Sequence, residues 1–346
     1  MKNLIIGSTC RSVGKTSVII GLAATYKGAF GYMKPFGDRL LYKKKKLWDY
    51  DAALMTNLFG LHEIPEEISI GFDHSKLRFM YDETSLLEKL RDEVAGVGKD
   101  KDIVFIEGGK SLNYGTSVYL DPISIASHTG GKLVLVLGGN ENSILDDITF
   151  LAKRVDMKDV NFGGIIINKI PDIEEFKENN LDLIERTGLK ILGIMPLEKE
   201  LATFTVGYLA ERLFAKTLTG EEHLRRKVNC VFIGTMHVNA ALENPLFKEG
   251  GKAVITSGDR TDMILASLES DTACVVLTEG ITPGAKIIDI AKERGIPLLM
   301  VPADTLNVAK HIDVLDPLIT RDDQDKVALL GRMAREHLRL EEIFKD

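Results

Sequence analysis

The chain has 346 residues, 45% apolar and 27% charged, the balance of an ordinary globular protein with material for two domains. Its 44 Lys and Arg against 51 Asp and Glu leave a net charge of −7, which gives no footing for a nucleic-acid partner. No apolar run reaches membrane-spanning length and the start lacks a basic-then-apolar leader, so a cytoplasmic protein with no membrane partner is expected.

Residues 3–6 read as a short apolar strand, and residues 7–13 as a small polar turn. Gly14-Lys15-Thr16-Ser17 then opens a helix rich in small apolar residues that continues through Ala24. Strand, loop and helix in that order are the setting of a phosphate-binding loop. Backbone N–H groups and the helix N-terminus face the phosphates, the lysine reaches the β- and γ-phosphates, and the threonine hydroxyl ligates magnesium. The nucleotide is therefore assigned to Thr9, Ser12, Val13, Gly14, Lys15, Thr16 and Ser17, with Lys15 as the first catalytic cation. The loop is a variant, because the G-x-x-x-x-G-K-[ST] spacing puts a glycine where this chain has Thr9, and the nearest upstream glycine is Gly7. Cys10 lies inside the loop, where helix-terminal N–H groups are expected to lower its pKa and make it sensitive to oxidation. Cys230 and Cys274 lie in apolar runs and read as small core residues.

Residues 29–36 form a second strand that ends at Lys34-Pro35, and proline stops the pattern. In an open α/β sheet the ligand crevice lies at the carboxyl ends of the strands, which makes Lys34 a candidate second catalytic cation. A solvated strand-end lysine is the other reading, and both stay open. The basic run Lys43 to Lys46 is expected to be a solvated loop or an arm near bound phosphates. Asp49 or Asp51 caps a helix ending near Gly60, residues 62–81 look irregular, and a helix spans 85–97. The apolar strand 103–106 is closed by Glu107-Gly108-Gly109, placing Glu107 where a phosphate-loop protein keeps its magnesium-organising carboxylate. Whether Tyr114-Gly115-Thr116-Ser117 forms a lid stays open.

Strands at 132–137, 163–167 and 190–195 alternate with helical stretches to about residue 210, which implies a doubly wound, mostly parallel α/β sheet. Residues 216–227 are polar and read as a linker or connecting helix. A second, smaller α/β domain follows, with strands at 228–233, 252–256, 273–277 and 297–301 and helices at 263–268 and 284–294. The expected domains are 1–215 and 216–346. The Asp259-Arg260 pair in the second domain is expected to form a local ion pair, with a ligand or subunit contact as the other reading.

These residues resemble the dethiobiotin synthetase group of phosphate-loop (P-loop) proteins. The shared pieces are Thr9 to Thr16, Gly31-Tyr32-Met33-Lys34-Pro35, Asp51-Ala52, Ile106-Glu107-Gly108-Gly109 and Gly164-Ile165-Ile166-Ile167-Asn168-Lys169, in that order. The tail resembles a DRTGG domain through Asp259-Arg260-Thr261, with Asp262 departing from the fourth letter. The pair is similar to the N-terminal region of long phosphate acetyltransferases and to stand-alone relatives. The resemblance implies ATP and Mg2+ as cofactors, with Thr16, Asp51 and Glu107 as metal ligands. It also implies Lys34 near the γ-phosphate and Asn168 reading the adenine edge. A symmetric homodimer is expected on general grounds, and the resemblance implies sites near its interface.

Dethiobiotin synthetase activity itself is not expected, because Lys34-Pro35 runs on to Phe36-Gly37-Asp38 instead of a hydroxyl-glycine turn. An acetyltransferase catalytic domain is not expected within these residues, and no cysteine sits in the elbow of a glutaminase. Two functions remain. One is slow or partner-dependent phosphoryl transfer or ATPase chemistry, with a small carboxylate or amine as acceptor. The other is a non-catalytic nucleotide sensor that signals through the DRTGG domain.

Overall fold

In the computed structural model, which describes residues 1–43, 46–313, 315, 318–321 and 323–345, the first apolar run becomes β1 (Lys2–Ser8), with Ile5 and Ile6 fully buried. The loop leads into α1 (Lys15–Thr25), then β2 (Phe30–Met33), a hairpin of β3 (Leu40–Lys43) and β4 (Lys46–Asp49), and α2 (Tyr50–Phe59). Next come α3 (His74–Met80), α4 (Glu83–Val97), β5 (Ile103–Glu107) and α5 (Pro122–Thr129). The run closes with β6 (Lys132–Leu137), α6 (Glu141–Arg154), β7 (Asn161–Ile170), α7 (Ile173–Glu185) and β8 (Ile191–Pro196). Acidic or amide caps start six of the seven helices: Asp49, Asp73, Asp82, Asp121, Asn140 and Asp172 each accept backbone N–H bonds.

Six strands pair in the order β2-β5-β1-β6-β7-β8, all parallel, so the doubly wound sheet expected from the alternating pattern is present. β1 sits between β5 and β6, and the carboxyl ends of β1, β2 and β5 deliver Ser8, Lys34 and Glu107 to one edge of the sheet. The segment 62–81 is more ordered than its composition suggests. It contains α3, and its backbone bonds the turn after β2 through Lys34 N–H to Ile68 O (3.0 Å), Ile70 N–H to Pro35 O (2.8 Å) and Gly37 N–H to Gly71 O (3.0 Å). Such pairing leaves no periodicity to read. Within the basic run, Lys43 pairs with Lys46 at the end of the hairpin ladder, and Lys44 and Lys45 lie outside the described residues.

The second unit contains β9 (Phe204–Thr205), α8 (Val206–Arg212), β10 (Lys216–Thr219), β11 (Lys227–Val228), β12 (Cys230–Ile233), α9 (Val238–Glu243) and α10 (Pro245–Lys248). It continues with β13 (Lys252–Ser257), α11 (Thr261–Leu268), β14 (Thr272–Thr278), α12 (Ala285–Glu293), β15 (Leu298–Met300) and α13 (Thr305–Asp313). Its five-stranded sheet runs β10-β15-β14-β13-β12, with β10 antiparallel at one edge. The polar stretch expected as a linker is thus an edge strand followed by a turn; charged and threonine residues suit an edge that faces water on one side.

The last helices, α14 (Gln324–His337) and α15 (Leu340–Phe344), return to the first unit. α14 packs along α1, closely enough that a Cβ added at Gly21 would fall 2.8 Å from Leu330 O. The compact units are therefore Met1–Glu198 with Ile319–Asp346, and Lys199–Leu318. The last helices join the first unit because α1 is apolar on every side and needs a second helix over it, and residues 199–215 join the second because Val206, Leu209 and Leu213 pack into its core. Among the described residues, no helix is long and apolar enough to cross a membrane.

Candidate nucleotide site

Two left-handed residues, Ser12 (φ 60°) and Gly14 (φ 92°), fold the loop between β1 and α1, a conformation of the kind that can gather backbone amides around an anion. The end of β7 holds that loop from behind. Asn168 Nδ2 donates to Val13 O at 2.9 Å, and Lys169 Nζ donates to Ser12 O at 2.7 Å. Asn168, expected at the adenine edge, is thus buried against the loop itself. Thr9, in the place of the missing glycine, donates its hydroxyl to Asp147 Oδ2 on α6 at 2.5 Å. Lys15 is nearly buried, and its Nζ donates to Ser8 Oγ at 2.9 Å. Burial lowers its pKa, against the pull of Glu107 in the other direction. Val13 is buried, while Ser17 is half-buried on the first turn of α1. Cys10 departs from expectation. Though exposed, it is partly desolvated in the loop, and with Asp147 beside it its pKa is raised instead of lowered. Cys230 is half-buried in β12, and Cys274 is fully buried in β14, its thiol pushed up to about 12 by burial.

Of the three residues assigned to a metal, Thr16 Oγ1 donates to Glu107 Oε1 at 2.9 Å, and Asp51, on the first turn of α2, shares the Lys34 ammonium with Glu107. Between them stands Lys34, only 2% exposed, which settles against a solvated strand-end lysine. Its Nζ lies 2.5 Å from Asp51 Oδ2, 2.7 Å from Asp38 Oδ1, 3.4 Å from Asp49 Oδ1 and 3.9 Å from Glu107 Oε1. Burial alone would lower the Lys34 pKa, and the surrounding carboxylates, Asp51 foremost, instead hold it well above its ordinary value. Arg39 adds a second cation, 3.4 Å from Asp51 Oδ1. Asp51 stays below the ordinary carboxylate range, its burial outweighed by Lys34 and Arg39.

Glu107 goes the other way. Burial and the charge of Asp51 push it up to about 7, and Tyr32 donates to its Oε2 at 2.8 Å. Asp49, not Asp51, caps α2, and its four accepted backbone bonds, from Asp51, Ala52, Asp38 and Arg39, tie the hairpin to the helix. A hydroxyl with two carboxylates is an all-oxygen donor set of the kind a hard divalent cation takes, so Thr16, Asp51 and Glu107 fit magnesium in chemistry. Asp38, Asp49 and Asp51 also bring carboxylate oxygens within 4.8 Å of one another.

Sequence reasoning missed Ser8, Tyr32, Asp38, Arg39 and Asp147. Of these, Tyr32 lay inside the shared piece Gly31 to Pro35, and Asp38 carried a signal as an acid four residues after Lys34. The stretch left open as a lid is docked. Tyr114 stacks on Phe36 (centroids 4.8 Å apart), Lys110 Nζ stands 4.7 Å from its ring centre, and Arg78 Nη1 donates to Ser117 Oγ at 3.0 Å. In the second unit, Arg260 pairs with Asp262 (3.0 Å) and donates to Met236 O (3.0 Å). The residue that departs from the expected motif is therefore the one that holds the arginine.

Comparison with known proteins identifies two domains in the chain. The family described as AAA domain matches residues 2–205, and the DRTGG domain matches residues 208–315. The chain is 25% identical over 370 aligned residues to a phosphate acetyltransferase of Pseudomonas putida, covering 98% of this chain and 51% of that one. It is 26% identical over 214 residues to the ATP-dependent dethiobiotin synthetase of Nitrosospira multiformis, covering 57% of this chain and 89% of that one. Among solved structures, the CBS and DRTGG domains of a Clostridium perfringens pyrophosphatase align at 22% identity and a TM-score of 0.30, over 36% of this chain and 51% of that one. The chain spans about half the length of the phosphate acetyltransferases it matches.

Proposed function

From a chain that belongs to the AAA domain family, with a dethiobiotin synthetase-like P-loop unit and a DRTGG domain, we propose a protein that binds Mg-ATP and turns it over slowly. The observation that carries this reading is the loop itself: buried Lys15 at the start of α1, with Thr16 bonded to Glu107 at 2.9 Å. Thr16, Asp51 and Glu107 would hold the magnesium, which supplies charge neutralisation to the phosphates when bound. Lys15 and the loop amides position the phosphate chain. The name of the synthetase relative supports ATP among nucleotides, and a small carboxylate or amine is the proposed acceptor where water is not. Slow turnover follows from Lys34, whose charge is spent on carboxylates in the free protein.

That same ion-pair cage favours a second reading, a sensor in which bound nucleotide orders the site and the DRTGG domain passes the state on. The reading also includes a cytoplasmic homodimer, for which sedimentation at graded concentration is the check. Thermal melts with ATP, with and without magnesium, run beside a phosphate-release assay, separate the cases. Magnesium-dependent stabilisation with slow release supports the first reading, and stabilisation with no release above buffer supports the sensor. No shift with any nucleotide contradicts both.

A further inference from the structure

Four carboxylates face Lys34, and three of them have other duties. Asp49 accepts backbone N–H bonds on both oxygens, from Asp51 (2.8 Å) and Ala52 on one and from Asp38 (2.9 Å) and Arg39 (3.0 Å) on the other. Glu107 accepts from Thr16 and Tyr32. Asp51 also faces Arg39 and, in the reading above, joins Glu107 on the metal. Asp38 differs. Its side chain is 8% exposed, and its Oδ1 lies 2.7 Å from Lys34 Nζ. That oxygen has no aligned hydrogen bond among the described residues. The turn that carries it is held close: a Cβ at Gly37 would fall 2.6 Å from the ring of Phe72.

We infer that Asp38 is a positioning residue that holds Lys34 away from the nucleotide and thereby sets the slow basal rate. The inference rests on Mg-ATP binding at the loop. In the reaction, a water oxygen bonds to the γ-phosphorus as the bond from phosphorus to the β–γ bridging oxygen breaks. ADP leaves with that electron pair, and the water proton passes to the phosphate product. A cation aimed at the transferring group stabilises the charge that develops there, and one already paired to a buried carboxylate does not. Metal binding would draw Asp51 and Glu107 away from Lys34, and Asp49, 3.4 Å from Nζ, shares both its oxygens with backbone N–H groups. Asp38, at 2.7 Å, then remains as the closest restraint.

The test uses the full chain. ATP affinity is measured by calorimetry with magnesium, and kcat and KM by phosphate release, for wild type, Asp38→Asn and Asp38→Ser. Removing the Asp38 charge is expected to raise kcat by up to about a hundredfold, the low end of what one fully aligned donor contributes, with ATP affinity little changed. Asp38→Glu restores the charge and should bring the rate back toward wild type. In the double variant Asp38→Asn with Lys34→Gln the gain should vanish. An unchanged kcat in both neutral variants, with ATP still bound, overturns the Asp38 role and leaves Mg-ATP binding intact. A gain that survives loss of Lys34 overturns it as well. Failure of the wild type to bind ATP overturns the nucleotide reading itself, and the Asp38 inference with it.

Discussion

Glu107 ends β5 beside the end of β2, 3.9 Å from Lys34 and bonded to Thr16 and Tyr32, and its carboxyl titrates within the ordinary pH range. Burial, then Asp51, raises it from 4.5 to about 7. A carboxyl that holds its proton more tightly folded than unfolded contributes stability below 4.5, and that contribution is lost as pH rises through 7. Asp49, also raised by burial, pushes in the same direction, whereas Asp51 is held low and stays ionised through this range. The free protein is therefore expected to melt several degrees lower at pH 8 than at pH 6, and Glu107→Gln should flatten that slope. Metal-dependent nucleotide binding should strengthen over the same interval, because a ligating carboxylate must be deprotonated. Melting curves with and without Mg-ATP at both pH values check the two opposite trends; a free protein that gains stability toward pH 8 contradicts the placement of Glu107.

At the scale of elements, the loop is held by what surrounds it. The carboxyl end of β7 latches it through Asn168 and Lys169, and α14 lies along α1, whose first turn carries Lys15 and Thr16. Gly21→Leu would drive a side chain into the backbone of α14 at Leu330. Overpacking of this kind costs about 1–3 kcal/mol, read from denaturant unfolding, and weaker nucleotide binding should accompany it. β5 was legible in the sequence because a parallel strand buried on both faces is a continuous apolar run that ends abruptly, here at Glu107. The loop was legible because its lysine and threonine follow a strand and open a helix. The cage around Lys34 was not: Asp38 and Asp49 come together only because the β3–β4 hairpin folds the chain back between them. Likewise, the small residues of α1 were visible, but their partner lies some three hundred residues away in the sequence.

For the molecule as a whole, that return of the chain decides what can be cut. Residues 199–318 hold their own apolar clusters, one around Val206, Ile255, Val276 and Leu299 and another around Ile264, Val275 and Leu298. They are expected to fold when expressed alone. Residues 1–198 joined to 319–345 through a short flexible linker should melt cooperatively, while 1–215 alone, with α1 uncovered, should melt lower or aggregate. Equal behaviour of the two forms would argue that α14 is dispensable. The measurement that bears most directly on the nucleotide site is calorimetric titration of the full chain with ATP and magnesium, beside Lys15→Ala. Saturable binding by the wild type that is lost in the variant is the expected result. Equal heats from both proteins, or none from either, would contradict a nucleotide site at this loop.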